Sequence, residues 1–188
     1  MGELLRSLGY KLALQEPAEM MIDDWAKRDF SKIIKFCKKY DAFQDIPFSL
    51  PYTYQALDQA FPGSKFILTI RSSSQEWFDS YVRFTKKRLN IMRFPTMKDL
   101  QNDTYRYKGF TERVSKLIYG ENTPLFDEQA YKRFYTQYNE DVVNYFAFRK
   151  NDLLVTNLAH PSAEADIKNF LHLSQHVKTL LPHLNASQ

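Results

Sequence analysis

An arginine and a serine near the start of one predicted helix are the residues best placed to bind an anion. Arg71 directly follows an apolar stretch at 65–70, and Ser80 lies about two turns into the helix predicted after it. A helix N-terminus favours an anion, and a guanidinium donates paired hydrogen bonds to phosphate oxygens. The spacing therefore predicts that Arg71 and Ser80 converge on one phosphate. The alternative is that Arg71 pairs with a nearby carboxylate and that Ser80 is only a small packing residue.

The elements that must position these two residues alternate between strand and helix signals. Residues 65–70 (KFILTI) form the strongest strand candidate, and their continuous apolar character predicts burial on both faces, as in a parallel sheet. Ser73 and Glu76 have the spacing of a capping box that opens a helix from residue 74 to about 89. Further strands are predicted at 10–14, 40–43 and 152–157, and further helices at 3–8, 18–39 (with a break near 29–31), 52–60, 110–119, 126–148 and 162–171.

This alternation predicts an α/β fold with a mainly parallel sheet flanked by helices. The length of 188 residues predicts a single domain over 1–188. The five glycines are scattered, so the sequence contains no glycine-rich phosphate loop. The single Cys37 indicates a buried structural thiol in a reducing compartment. With no secretory signal and no long apolar run, we expect a cytoplasmic protein without membrane contact.

The net charge of +4 fits an anionic ligand or a solvated basic face equally well, and we expect no nucleic-acid partner. A basic stretch is read either as the lining of an acceptor or nucleotide channel or as a solvated helix face; it comprises Arg83, Lys86, Lys87, Arg88 and Arg93. The aromatic residues between 131 and 146 are interpreted as core packing. His172 and His176 have i,i+4 spacing without an evident third ligand, so no metal site is expected.

The segment FPGSKFILTIR at 61–71, followed by EWFDSY at 76–81, resembles the second cofactor-binding element of the sulfotransferases. These enzymes move a sulfonate group from 3′-phosphoadenosine 5′-phosphosulfate (PAPS) to a hydroxyl or amine, without a metal. The resemblance implies their P-loop-type nucleotide-binding architecture, PAPS as co-substrate, a small-molecule or glycan acceptor, and a 3′-phosphate held by Arg71 and Ser80. Weaker resemblances run along the chain, at 4–10, 41–47, 119–120, 126–128, 138–139, 152–155 and 181–185.

Within that resemblance, Asp45 in the segment DAFQDIP is the candidate general base for the acceptor's proton. The alternative is an aspartate that only caps a turn or a helix. The sequence starts inside the helix that in this family follows the first strand and the phosphosulfate-binding loop. We therefore expect a truncated form or a divergent remnant, with weak or no transfer activity. The alternatives are a non-catalytic sulfotransferase-like protein that binds a nucleotide or a partner, and a general polyanion-binding protein.

Overall fold

The computed structural model describes residues 1–174, which contain ten helices and two strands. The helices are α1 Gly2–Ser7, α2 Gln15–Glu19, α3 Ile22–Ala26, α4 Ser31–Cys37, α5 Thr53–Ala60, α6 Ser74–Leu89, α7 Met97–Asn102, α8 Phe110–Tyr119, α9 Glu128–Tyr145 and α10 Ala163–Phe170, and the strands are β1 Phe66–Thr69 and β2 Leu153–Thr156. Within residues 1–174, none of these helices is long and apolar enough to cross a membrane.

The chain divides into two compact units. The first unit contains Met1–Ile70 and the described part of Asn139–Gln188, and the second unit contains Arg71–Tyr138. Helix α9 contributes residues to both. The assignment of residues 1–188 to a single domain stays a prediction.

The sheet of the first unit confirms the predicted α/β class with parallel pairing. β1 pairs with β2 in parallel, with Phe66 opposite Leu153 and Thr69 opposite Thr156. The prediction that β1 is buried on both faces is wrong, because Leu68 is buried but Thr69 is exposed and the first two residues are half-buried. The physical reason is that, within the described residues, β1 has a neighbouring strand on one edge only.

The two strands predicted at 10–14 and 40–43 are reduced to a single parallel bridge between Leu12 and Ala42. The backbone N–H groups of Asp41 and Ala42 both donate to the carbonyl of Lys11, at 2.9 and 3.3 Å. The N–H of Lys11 donates instead to the Asp41 side chain, at 3.0 Å. This side-chain bond takes the place of a ladder bond, so the pairing does not extend into regular strands.

The helix predicted over 18–39 is broken twice, and only the second break was expected. A turn at residues 20–21 separates α2 from α3, and Arg28, with a φ of 61°, prevents α3 from continuing. The Asp29 carboxylate then accepts the N–H of Ser31 at 3.1 Å, which opens α4. Cys37 at the end of α4 is buried, as predicted, and burial raises the pKa of its thiol to about 12.

The second unit is organised around a cluster of buried side chains from α6, α9 and the loop that precedes α9. Phe78, Val82, Phe126 and Tyr131 form this cluster, and Tyr131 stacks on Tyr119 with ring centroids 3.7 Å apart. These contacts confirm the core-packing interpretation for Tyr131. Helix α7 was not predicted, although Thr96 and Asp99 form a capping box at its start. A threonine three residues before an aspartate was the local signal that could have revealed it.

Candidate functional site

Arg71 lies where the sequence predicts, two residues after β1 and immediately before the capped start of α6. The Ser73 side chain accepts the N–H of Glu76 at 3.0 Å, which confirms half of the predicted capping box. In the other half, the Glu76 carboxylate accepts the N–H of Ser72 at 3.1 Å, one residue earlier than the usual pattern. The turn between Arg71 and α6 is therefore held by two side chain–backbone bonds.

The structure brings Arg71 and Ser80 together. The Nη2 atom of Arg71 lies 3.4 Å from the Oγ atom of Ser80. This is a long hydrogen bond, and the Arg71 side chain is partly exposed, with a relative accessibility of 34%. An exposed guanidinium and a hydroxyl side by side can donate to the same anion from two directions.

The competing interpretation of Arg71 is also represented in the structure. Its Nη1 atom lies 3.8 Å from Oε1 of Glu76, at the outer limit of an ion pair. The 39% accessibility of the Glu76 side chain means that solvent weakens this attraction. Because Arg71 contacts both a hydroxyl and a carboxylate, the assignment of a phosphate to Arg71 and Ser80 stays a prediction.

Tyr135 is a site residue that the sequence interpretation assigned only to core packing. Its hydroxyl accepts the backbone N–H of Arg71 at 2.8 Å. Its ring stacks on Trp77, with centroids 4.7 Å apart and an interplanar angle of 16°. Helix α9 therefore fixes the backbone of Arg71 while α6 supplies Ser80. A tyrosine on an aromatic stripe carries no sequence signal for this bond, since its partner lies 64 residues away.

Asp45 lies in the first unit, between α4 and α5, and has a left-handed backbone with a φ of 58°. The residue is exposed, and its Oδ2 accepts a hydrogen bond from the Gln44 side chain at 3.2 Å. Partial loss of hydration raises the pKa of Asp45 above its ordinary value, and the negative charge of Glu19 acts in the same direction. Arg71 and Ser80 belong to the second unit, so the role of Asp45 as a base stays a prediction.

Two of the five charges in the basic stretch are satisfied within the protein. Arg88 donates to Asp103 at 2.5 Å and to Thr111 at 3.1 Å. Arg93 donates two bonds to Asp99, both at 2.6 Å, and lowers the pKa of that carboxyl far below its ordinary value. These contacts hold together the segment that includes α7 and α8, which neither interpretation of the stretch anticipated.

The histidines in the described part of the chain are not arranged as metal ligands. His160 contacts the Ser162 hydroxyl at 2.8 Å through Nδ1, and Ser162 in turn donates to Asp166 at 2.6 Å at the start of α10. Within residues 1–174 no group of three or more His, Cys, Asp or Glu side chains could hold a metal ion. His176, the partner proposed for His172, lies outside the described residues, as does the segment 181–185.

The described helices and the parallel strand pair define an α/β protein. The model of the sulfotransferase domain family matches residues 7–187 of this sequence. The chain therefore belongs to that family, which confirms the resemblance, and its function is of the sulfotransferase type. No curated protein matches the chain.

Proposed function

We propose that this sulfotransferase domain uses PAPS as its sulfonate donor, that Arg71 and Ser80 bind the donor's 3′-phosphate, and that the acceptor is a hydroxyl or amine of a small molecule or glycan. The observation that carries the proposal is the approach of the Arg71 guanidinium to the Ser80 hydroxyl at 3.4 Å. Both groups are hydrogen-bond donors, and one of them is permanently charged.

The donor set fits a phosphate in both charge and direction. A phosphate oxygen that accepts from both groups would replace the long Arg71–Ser80 contact with two charge-assisted bonds. The Arg71 backbone is held by the Tyr135 hydroxyl, so less conformational freedom is lost when the anion binds. No metal ligand is needed for this recognition.

Bound PAPS supplies a sulfonate group whose sulfur–oxygen bond to the nucleotide phosphate breaks as the acceptor oxygen or nitrogen forms a bond to sulfur. The acceptor loses a proton in this reaction, and we assign that proton to the Asp45 carboxylate. The raised pKa of Asp45 makes its carboxylate a stronger base than that of an ordinary aspartate. Arg71 and Ser80 take no part in bond making and serve to hold the donor.

Calorimetric titration with 3′-phosphoadenosine 5′-phosphate, the product nucleotide, tests the binding site. The same titration with adenosine 5′-monophosphate, which lacks the 3′-phosphate, isolates the contribution of that group. We expect Arg71→Ala to weaken binding of the first nucleotide by about 10- to 100-fold, the range for hydrogen bonds to a charged group. Binding of the second nucleotide should change little.

Arg83→Ala is the matched control. Arg83 is an exposed arginine of α6 that follows Ser80 in the sequence and lies outside the turn before the helix. Arg83→Ala should leave both titrations unchanged. Equal losses from Arg71→Ala and Arg83→Ala would indicate general attraction to positive charge and would overturn the assignment. The assignment would also be overturned if Arg71→Ala still preferred 3′-phosphoadenosine 5′-phosphate over adenosine 5′-monophosphate by the same factor as the unaltered chain.

Transfer of radiolabelled sulfonate from PAPS to a panel of phenols, alcohols and amines tests the reaction. Any transfer by the unaltered chain, which we expect to be weak, should be mostly abolished in Asp45→Asn while nucleotide affinity stays unchanged, because the substitution removes the base without touching Arg71 or Ser80. Undiminished transfer in Asp45→Asn would remove Asp45 from the mechanism. Nucleotide binding without transfer to any acceptor by the unaltered chain would favour the non-catalytic alternative.

A further inference from the structure

We propose that the last turn of α6 and the loop that follows it form a surface that binds the headgroup region of an anionic phospholipid membrane. This surface, called the α6-end surface below, consists of Lys86, Lys87, Met92 and Phe94, all in the second unit. None of these four residues takes part in the proposed nucleotide site, so the inference does not depend on the proposed function.

Two apolar side chains of the loop are exposed to solvent. Met92 has a relative accessibility of 94%, so its side chain makes almost no contact with the rest of the protein and protrudes from it. Phe94 has an accessibility of 52% and is held from the other side by edge-on packing against Phe126, with ring centroids 5.4 Å apart. Transfer of such side chains from water into an apolar phase is favourable.

The loop turns back onto the end of the helix and brings lysines next to these apolar side chains. Asn90, with a φ of 53°, ends α6, and its backbone N–H donates to the carbonyl of Lys87 at 3.2 Å. The N–H of Ile91 donates to the carbonyl of Lys86 at 3.0 Å. The Lys86 ammonium group then lies 5.9 Å from the ring centroid of Phe94. Positive charge and exposed apolar area therefore share one end of the helix.

The charge around this surface has a single sign. Residues 80–98 contain no aspartate or glutamate and carry six basic side chains, which are Arg83, Lys86, Lys87, Arg88, Arg93 and Lys98. Arg88 is paired with Asp103 and Arg93 with Asp99. The other four form no ion pair within residues 1–174. A partner that covers the α6-end surface therefore has to be anionic.

An anionic bilayer uses both the protruding methionine and the lysines. The Met92 side chain can enter the boundary of the acyl chains while the ammonium groups of Lys86 and Lys87 reach the headgroup phosphates. A nucleic acid or an acidic peptide would be attracted by the lysines but would gain nothing from Met92. The expectation of no membrane contact was drawn from the lack of a spanning segment, which peripheral binding of this kind does not require.

Co-sedimentation of the full chain with lipid vesicles tests the proposal. One set of vesicles contains phosphatidylcholine with about 30% phosphatidylserine and the other contains phosphatidylcholine alone, both at about 0.1 M salt. We expect binding to the anionic vesicles to be at least about tenfold stronger than binding to the neutral ones. The absence of binding to the anionic vesicles would overturn the proposal, as would equal binding to both sets.

Met92→Gln separates a membrane from other anionic partners, because it removes apolar character without changing charge. Binding to the anionic vesicles should weaken by about five- to tenfold, while heparin binding should not change. The matched control is Met20→Gln, which alters a methionine of the first unit with 49% accessibility and should have no effect. Unchanged vesicle binding in Met92→Gln would mean that the chain is attracted only to negative charge, and would overturn the proposal.

The double substitution Lys86→Gln with Lys87→Gln tests the electrostatic part of the surface. It should weaken binding to the anionic vesicles by about tenfold or more, the scale of two lysines near an anionic membrane. The control is Lys38→Gln with Lys39→Gln, which makes the same change in net charge at two exposed lysines directly after α4. Equal losses from the two pairs would overturn the proposal. The nucleotide titrations with Arg71→Ala are independent of all these outcomes.

Discussion

The guanidinium of Arg71 lies between two partners that have opposite consequences for an anion. The Ser80 hydroxyl, 3.4 Å away, would share an anion with it, whereas the Glu76 carboxylate, 3.8 Å away, would repel that anion. Glu76 also accepts the Ser72 N–H and so helps to build the turn. One side chain therefore both shapes the proposed site and opposes its occupation.

Neutralising Glu76 should strengthen nucleotide binding. Glu76→Gln keeps an oxygen that can accept the Ser72 N–H, but removes the negative charge beside Arg71. We expect the affinity for 3′-phosphoadenosine 5′-phosphate to rise about two- to fivefold, the scale of a solvent-exposed ion pair. Calorimetry at low ionic strength is the measurement, since salt screens the effect.

Glu121→Gln is the matched control for net charge, because Glu121 is an exposed carboxylate of the same unit whose side chain has 71% accessibility. It should leave the affinity unchanged. A fall in affinity in Glu76→Gln would mean that the turn geometry matters more than the charge, and would contradict the electrostatic role assigned to Glu76.

At the scale of elements, α5 and the end of α9 are joined by one carboxylate. Asp58 of α5 accepts the Tyr145 hydroxyl at 2.8 Å and two bonds from the Arg149 guanidinium at 3.0 and 2.7 Å. The Asp58 side chain is largely shielded from solvent, with 10% accessibility, whereas the Arg149 side chain has 41%. The hydrogen bond from Arg149, and then that from Tyr145, lower the pKa of Asp58.

Removing this carboxylate should destabilise the first unit. We expect Asp58→Asn to reduce the free energy of unfolding by about 1 kcal/mol, allowing for solvent screening at the exposed arginine. Since the pKa of Asp58 is lower in the folded protein, its contribution is present above the ordinary carboxyl pKa of about 4 and is lost as the pH falls through the folded-state value. Chemical denaturation at neutral and acidic pH measures both effects.

The control is Glu3→Gln, because the Glu3–Arg6 pair on α1 is more than half exposed on both sides. Breaking that pair should leave the denaturation midpoint nearly unchanged at any pH. If Asp58→Asn and the unaltered protein had the same stability at neutral pH, the contacts of Asp58 would contribute no net stability.

At the scale of the whole molecule, the sequence predicted the elements that carry strong local signals. The start of α6 follows from a serine cap, and the end of α8 follows from Gly120, whose positive φ angle is typical of a helix end. The same local reasoning placed Arg71 beside Ser80, because the two residues are only nine positions apart, on either side of the start of α6. These features were predictable because each depends on residues close together in the chain.

The features that escaped prediction depend on residues far apart in the sequence. The hydrogen bond between Tyr135 and Arg71 joins α9 to a turn 64 residues earlier in the sequence. The ion pair with Asp103 neutralises Arg88, which the sequence interpretation had assigned to solvent or to a ligand. The half-burial of β1 depends on how many strands flank it, which its own composition does not reveal. Tertiary contacts of this kind change the environment of a residue, and the local sequence pattern does not reveal them.

The distribution of charge over the molecule gives a last prediction, which separates a built phosphate site from general polyanion binding. The net charge is only +4, and Arg88 and Arg93 are already paired with carboxylates. We therefore expect heparin binding to be weak and to fall steeply as salt rises, because attraction to a solvated basic face is a counterion-release effect. Binding of 3′-phosphoadenosine 5′-phosphate should fall more gently between 0.05 and 0.2 M salt, since its 3′-phosphate contacts two fixed donors.

A double substitution, Arg83→Gln with Lys87→Gln, makes the distinction sharper, because both side chains are exposed on α6. The double substitution should weaken heparin binding further and leave nucleotide binding intact. Arg71→Ala should weaken nucleotide binding and leave heparin binding intact. Parallel losses of both ligands in both variants would mean that the chain recognises negative charge in general. The 3′-phosphate assignment would then fail, because a site built from Arg71 and Ser80 has to distinguish a nucleotide with that phosphate from an unrelated polyanion.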